Sequence, residues 1–97
     1  LLKPVIILDP AADEINDAAA FYNERVVGLG SQLLIEPERT LVRVTQQPKA
    51  GQLMNRDTRR QLLRRFPYAV LYREEEQHIV VVAIMHQHRR SNYWEHR

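Results

Sequence analysis

The stretch R64-RFPYAVLYREEEQHIVVVAIMHQHR-R90 decides the fold. From Tyr68 to Arg73 the β-formers Tyr68, Val70 and Tyr72 alternate with Ala69, Leu71 and Arg73, and from Ile79 to Met85 runs an unbroken apolar segment rich in Val and Ile. Both read as strands. The polar break Glu74-Glu75-Glu76-Gln77 is too short for a crossover helix, so the two strands are expected to be antiparallel neighbours in a hairpin. The second is apolar on both faces, which places it inside a sheet covered on each side. At its end the composition changes to His86, Gln87, His88, Arg89 and Arg90, then Ser91, Asn92, Tyr93 and Trp94. A dry strand thus delivers imidazoles, guanidiniums and aromatics to one end of the sheet.

Upstream, Val5 to Leu8 with Lys3 and Pro4 form a short β-rich run. Asp9 as N-cap, Pro10 at the first helical position and acids at Asp13 and Glu14 open a helix that runs to about Val27. Its apolar stripe is Ala11, Ile15, Ala18, Ala19, Tyr22, Val26 and Leu29, and the run Ala18 to Ala20 invites a close neighbour. Gly28 and Gly30 turn the chain back, Ser31 can cap a second helix over residues 31–46, and Leu34, Leu41 and Val44 form its apolar side. Pro37 lies within that helix at a cost of about 3 kcal/mol, so a kink or a break is expected there. Residues 48–55 read as a loop, Thr58 to Arg65 as a strand, and Pro67 as the reversal into the next. The fold class is α+β, β-α-α-β-β-β, with an N-terminal helical hairpin packed on one face of a mainly antiparallel sheet.

A chain of 97 residues suits one domain over 1–97, burying roughly 60 to 65 per cent of its unfolded surface. There is no Cys, which removes disulfides and thiolate chemistry and fits a cytoplasmic location. No apolar run reaches the length of a membrane span and no signal-type opening is expected. The net charge of +2 is uneven: residues 1–50 carry −2 and residues 51–97 carry +4. Between 55 and 73, Arg56, Arg59, Arg60, Arg64, Arg65 and Arg73 stand against Asp57 alone. Such a segment suits an anionic partner, while its plain alternative is a solvated arginine face that discourages edge aggregation.

His86 and His88 alone do not make a metal site, since no second ligand pair has the spacing and His78 lies at the other strand end; no metal or cofactor is expected. As nuclease groups, His86 or His88 could titrate, Arg64, Arg65, Arg89 or Arg90 could hold a phosphate, and Tyr93 or Trp94 could stack a base. Equally, His86 could be bonded locally while Tyr93 and Trp94 close the end of the sheet.

The run Arg65-Phe66-Pro67-Tyr68-x-x-x-Tyr72, the apolar strand, His86-x-x-Arg89 and the pair Tyr93-Trp94 resemble the RelE/ParE superfamily of type II toxin-antitoxin toxins, in its ParE-like branch. The resemblance covers the second half of the chain by motif and the first half by layout. Ribosome-dependent messenger RNA nucleases of the RelE branch usually carry an Arg where this chain has Ala69, and His88 falls where their tail Arg would stand. The ParE branch implies a non-enzymatic toxin that poisons DNA gyrase by binding, with target contacts at His86, Arg89, Arg90, Tyr93 and Trp94. It also implies a cognate antitoxin forming a hetero-oligomer, received by an edge carrying Arg59, Arg60, Arg64 and Arg65. Two other readings stand beside it: a RelE-like messenger RNA endonuclease acting on the ribosome through His86, His88, Arg89 and Arg90, and a plasmid-stabilisation protein that binds antitoxin without toxicity.

Overall fold

The computed structural model describes residues 2–89 and 92–97. Its elements are β1 (Val5–Ile7), α1 (Asp9–Arg25), α2 (Leu29–Gln46), β2 (Gln52–Leu53), β3 (Thr58–Leu62), β4 (Tyr68–Glu74) and β5 (Ile79–His86), in one sheet of order β1-β5-β4-β3-β2. All neighbours are antiparallel except β1 and β5, which run parallel with Val5 opposite Ile79. The apolar strand read from the sequence is therefore interior, and Ile79 to Met85 are buried throughout. One element escaped the sequence reading: the two residues of β2 pair with Arg59 and Arg60 inside the expected loop.

The sheet is dry on both faces. On the helix side Ala11 and Val44 pack with Val70, Tyr72, Ile79, Val81 and Ile84. On the other side Ala69, Leu71, Val80, Val82, Ala83 and Met85 are covered by Trp94, with Leu8, Met54 and Tyr93 at the margin. Full burial of each large apolar side chain is worth about 1.5–3 kcal/mol, so both layers stabilise the strand. Between Tyr72 opposite Val81 and Leu71 opposite Ala83, Val82 has no partner on β4. This one-residue bulge breaks the alternation, so Ile79, Val81 and Ile84 lie on the helix side while Val82 and Ala83 both face the other.

Helix α1 starts one residue earlier than the capping motif suggests, at Asp9 rather than Pro10. Leu8 still donates its N–H to Val81 O at 3.1 Å and also accepts from Ala12 N at 3.0 Å, so it ends the strand and caps the helix at once. Asp9 and Pro10 then occupy the first turn, and no side chain caps it. The stripe stops at Tyr22, because α1 ends at Arg25 and Val26 is exposed.

At the second helix Gly28, in the left-handed region at φ 87°, is the N-cap in place of Ser31. Asn23 supplies the side-chain cap, accepting from Gly30 N at 2.8 Å. Helix α2 passes through Pro37 without a break, and the ring is buried in the stripe Gly30, Leu33, Glu36, Pro37, Thr40 and Val44. Leu34, expected on the apolar side, is exposed. Two polar residues hid the true stripe: Thr40 Oγ1 donates to Glu36 O at 2.9 Å, and Glu36 Oε1 accepts from Arg65 N at 2.9 Å. At Gly30 an added Cβ would strike the carbonyl of Ala19, which explains why small residues meet where the hairpin closes.

Candidate functional site

The end of β5 and the reversal before β4 meet at one corner of the sheet. Phe66, in the motif Arg65-Phe66-Pro67-Tyr68, is the one non-glycine described residue with positive φ, at 71°. A bulky residue there is strained by about 1–3 kcal/mol. Its ring lies 5.0 Å from that of Tyr22, and Tyr68 N donates to Phe66 O at 2.9 Å. The turn is pinned to β5, since Gln87 N donates to Pro67 O at 2.8 Å. Edge-to-face contacts continue from Tyr22 to Tyr68, at 6.4 Å, and from Tyr68 to His86, at 5.2 Å. Burial foremost, then the neighbouring Tyr22, hold the Tyr68 phenol above its ordinary pKa.

His86 is half-buried and lines a cavity of about 300 Å³ with Glu14, Phe21, Tyr68 and Arg89. Its Nδ1 accepts from His88 N at 3.2 Å and its carbonyl accepts from Arg89 N at 3.0 Å, so the strand ends in a tight local turn. The imidazoles of His86 and His88 lie 5.4 Å apart, and His88 and Arg89 are exposed. The Arg89 guanidinium stacks 3.7 Å above the Tyr93 ring. Arg90 lies outside the described residues. Among the described residues no three His, Asp or Glu side chains gather as a metal site.

The aromatic pair of the tail is anchored rather than presented. Trp94, expected among the target contacts, is 3% exposed in the apolar layer opposite the helices. The Tyr93 hydroxyl is buried and has no hydrogen bond of normal geometry among the described residues. Burial first, then the nearby Glu14 carboxylate, drive its pKa far above the ordinary 10.0, with Arg89 and Arg97 opposing.

Sequence reading missed the clamp behind this anchoring. Strand β1 ends at Ile7, leaving the later half of β5 with no strand on that side. Glu14 Oε1 accepts from Ile84 N at 3.1 Å, and Arg97 Nη1 donates to Val82 O at 3.0 Å and to Glu14 Oε1 at 2.7 Å. The ion pair thus satisfies backbone groups that a strand would otherwise take. Arg73 Nη1 adds a bond to Arg97 O at 3.0 Å.

The arginines assigned to an antitoxin edge divide into two groups. At Arg59 and Arg60, β3 is paired on both sides, so it is no free edge there. Arg59 donates to Lys49 O and Gly51 O, and Arg60 to Gln52 Oε1, holding the preceding loop. Arg64 and Arg65 are exposed and border a second cavity of about 400 Å³ with Glu36, Arg39, Val42 and Arg43. No signal local to 64–65 could have linked them to Arg39 and Arg43, which approach from α2.

No helix is long and apolar enough to cross a membrane among the described residues. No curated protein matches the chain. Among solved structures, a chain of the chromosomal ParDE toxin-antitoxin system from P. aeruginosa superposes with a TM-score of 0.78, covering 88% of this chain and 96% of that one at 13% identity, a likeness of fold. The family model for the ParE toxin of the type II toxin-antitoxin system parDE matches residues 5–91, from β1 through the histidine-arginine turn. With the β-α-α-β-β-β-β order and the RFPY corner on that span, the chain belongs to the ParE toxin family of type II toxin-antitoxin systems.

Proposed function

We propose that this toxin acts by binding DNA gyrase through the corner at the end of β5, and that a cognate antitoxin holds it silent. The family match over residues 5–91 carries the reading. The geometry supports a contact surface of His86, His88 and Arg89, with Arg90 beside it in sequence and Tyr93 as the platform under Arg89. Trp94 serves this surface by fixing the tail rather than by touching a target. The helical hairpin leaves Phe21, Val26, Val27, Leu34, Ile35 and Val42 exposed, apolar area that suits coverage by a partner helix. The solved relative comes from a ParDE system, which fits an antitoxin as that partner.

The test is a supercoiling and DNA-cleavage assay with purified gyrase. Wild-type protein is expected to inhibit supercoiling and accumulate cleaved DNA. Arg89→Ala is expected to lose that inhibition in a protein that stays folded, at a stability cost of about 0.5–1 kcal/mol for the lost stacking on Tyr93. Gyrase left untouched by the folded protein would remove the proposal. Cleavage of messenger RNA on ribosomes, dependent on His86 or His88, would replace it with the nuclease reading; growth unaffected by expression would favour a stabilisation protein.

A further inference from the structure

We infer that the cavity between α1 and the open end of β5 seats a basic, extended segment of the target protein, one residue of which joins β5 by its main chain and directs an arginine or lysine at Asp17; that the target is gyrase rests on the function proposed above. Past the end of β1, β5 turns its open side to this cavity of about 300 Å³. Ile84 N faces that side, since it donates to Glu14 Oε1, and strand geometry turns Ile84 O and the N–H and C=O of His86 the same way. Two of these four groups are taken: Ile84 N by Glu14, at 3.1 Å, and His86 O by Arg89 N, at 3.0 Å. Ile84 O and His86 N meet no partner among the described residues, although Ile84 is buried and His86 half-buried. Native proteins leave very few such groups unpaired, so the two call for a ligand. An acceptor followed two residues on by a donor is what one residue of a parallel strand satisfies. β1 already meets β5 in this manner, with Ile79 N donating to Pro4 O and Leu8 N to Val81 O. An antiparallel partner would need both groups of a single residue, and neither Ile84 nor His86 has both left.

The lining sets the charge of the residue that fits. Glu14 and Asp17 stand there against Arg89 alone. Glu14 is committed to Arg97 and Ile84 N, whereas Asp17 is exposed and makes no ion pair among the described residues. Phe21 lies one helical turn from Asp17 and lines the same cavity, and its ring already carries the Arg25 guanidinium at 3.4 Å. A carboxylate beside an aromatic wall takes a guanidinium or ammonium. A phosphate would meet two carboxylates with one guanidinium to hold it, so a nucleic-acid backbone is the poorer occupant.

Amide NMR on the isotope-labelled protein tests this, with the acetylated and amidated tripeptide alanine-arginine-alanine as probe. The His86 amide should exchange rapidly in the free protein, then shift downfield and exchange at least about tenfold more slowly as the tripeptide binds. Asp17→Asn should weaken that binding about tenfold, while Glu24→Gln, a like change on α1 outside the cavity, should alter it less than about twofold. Alanine-glutamine-alanine should bind no better to the wild type than alanine-arginine-alanine does to Asp17→Asn. No response at His86, equal binding of the two tripeptides, or displacement of the basic one by single-stranded DNA would overturn the assignment, and none of these readings requires a variant to fold. In the supercoiling assay, folded Asp17→Asn should need about ten times more protein than wild type for half-inhibition. Equal potency would remove the slot and keep gyrase as target; tripeptide binding as described, with gyrase untouched by wild type, would keep the slot and remove gyrase.

Discussion

Removing either end of the Glu14–Arg97 pair should loosen the tail and the open side of β5 together. Both side chains are under one-fifth exposed, at 17% and 19%, so the pair lies between surface bridges worth about 0–1 kcal/mol and buried ones whose rupture costs about 3–5 kcal/mol. Arg97→Ala also strips Val82 O of its donor, giving an expected loss of about 2 kcal/mol. Glu14→Ala leaves Ile84 N unmet as well and should cost about 3 kcal/mol. The double variant should lose little more than Glu14→Ala alone, a coupling of about 1–2 kcal/mol. Urea titration at pH 7 measures all four corners of this cycle. Trp94 is the sole tryptophan and lies beside the clamp in sequence, so its emission reports tail docking and should shift to longer wavelength in each variant. Losses that add to within about 0.3 kcal/mol, with unchanged emission, would refute the claim that the pair stands in for a strand.

Trp94→Ala should cost about 3–5 kcal/mol in the same titration by emptying the layer opposite the helices; a loss under about 1 kcal/mol would return this residue to the contact surface. Gly30→Ala gains about 1 kcal/mol of helix propensity but drives a methyl into a backbone carbonyl, so a net fall in melting temperature is expected and a rise would show that the hairpin yields. The raised phenols of Tyr68, Tyr72 and Tyr93 ionise less readily in the fold than in the unfolded chain, which loses its protons first near pH 10.0. Stability should therefore fall as pH rises above that value. Tyr93→Phe, which removes an unbonded buried hydroxyl, should match or exceed wild-type stability at pH 7 and lessen the alkaline fall; an unchanged alkaline slope would count against the burial of that group.

The central hairpin was legible because two strong local signals, alternation over Tyr68–Arg73 and a dry run over Ile79–Met85, agreed with a short acidic break. The α2 stripe was misread because Glu36 and Thr40 look like surface residues until their internal partners are seen. Strand β2 is two residues long and depends on Arg59 and Arg60 across the ladder, so no local pattern announces it. At the corner, composition at a strand end was enough to place His86 and Arg89 together. Glu14 and Arg97 were not so placed, because their contact spans nearly the whole chain and neither has a distinctive neighbourhood. For Trp94 the tail composition supported both a sticky surface and a plug, and burial decides for the plug.

The unpaired Val82 acts as a side selector for everything downstream of it. An uninterrupted ladder would turn Ile84 and His86 toward the tail layer, away from Glu14, Tyr68 and the cavity against α1. Deleting Val82 would close the bulge, with Ala83 following Val81 in regular alternation, and would leave Ile84 on Glu14 and the terminal imidazole on its present side, whereas flattening the bulge with the residue retained would move both to the opposite surface. Among related chains, strand length and bulge should vary together at this point, because a change in one without the other would reverse the corner.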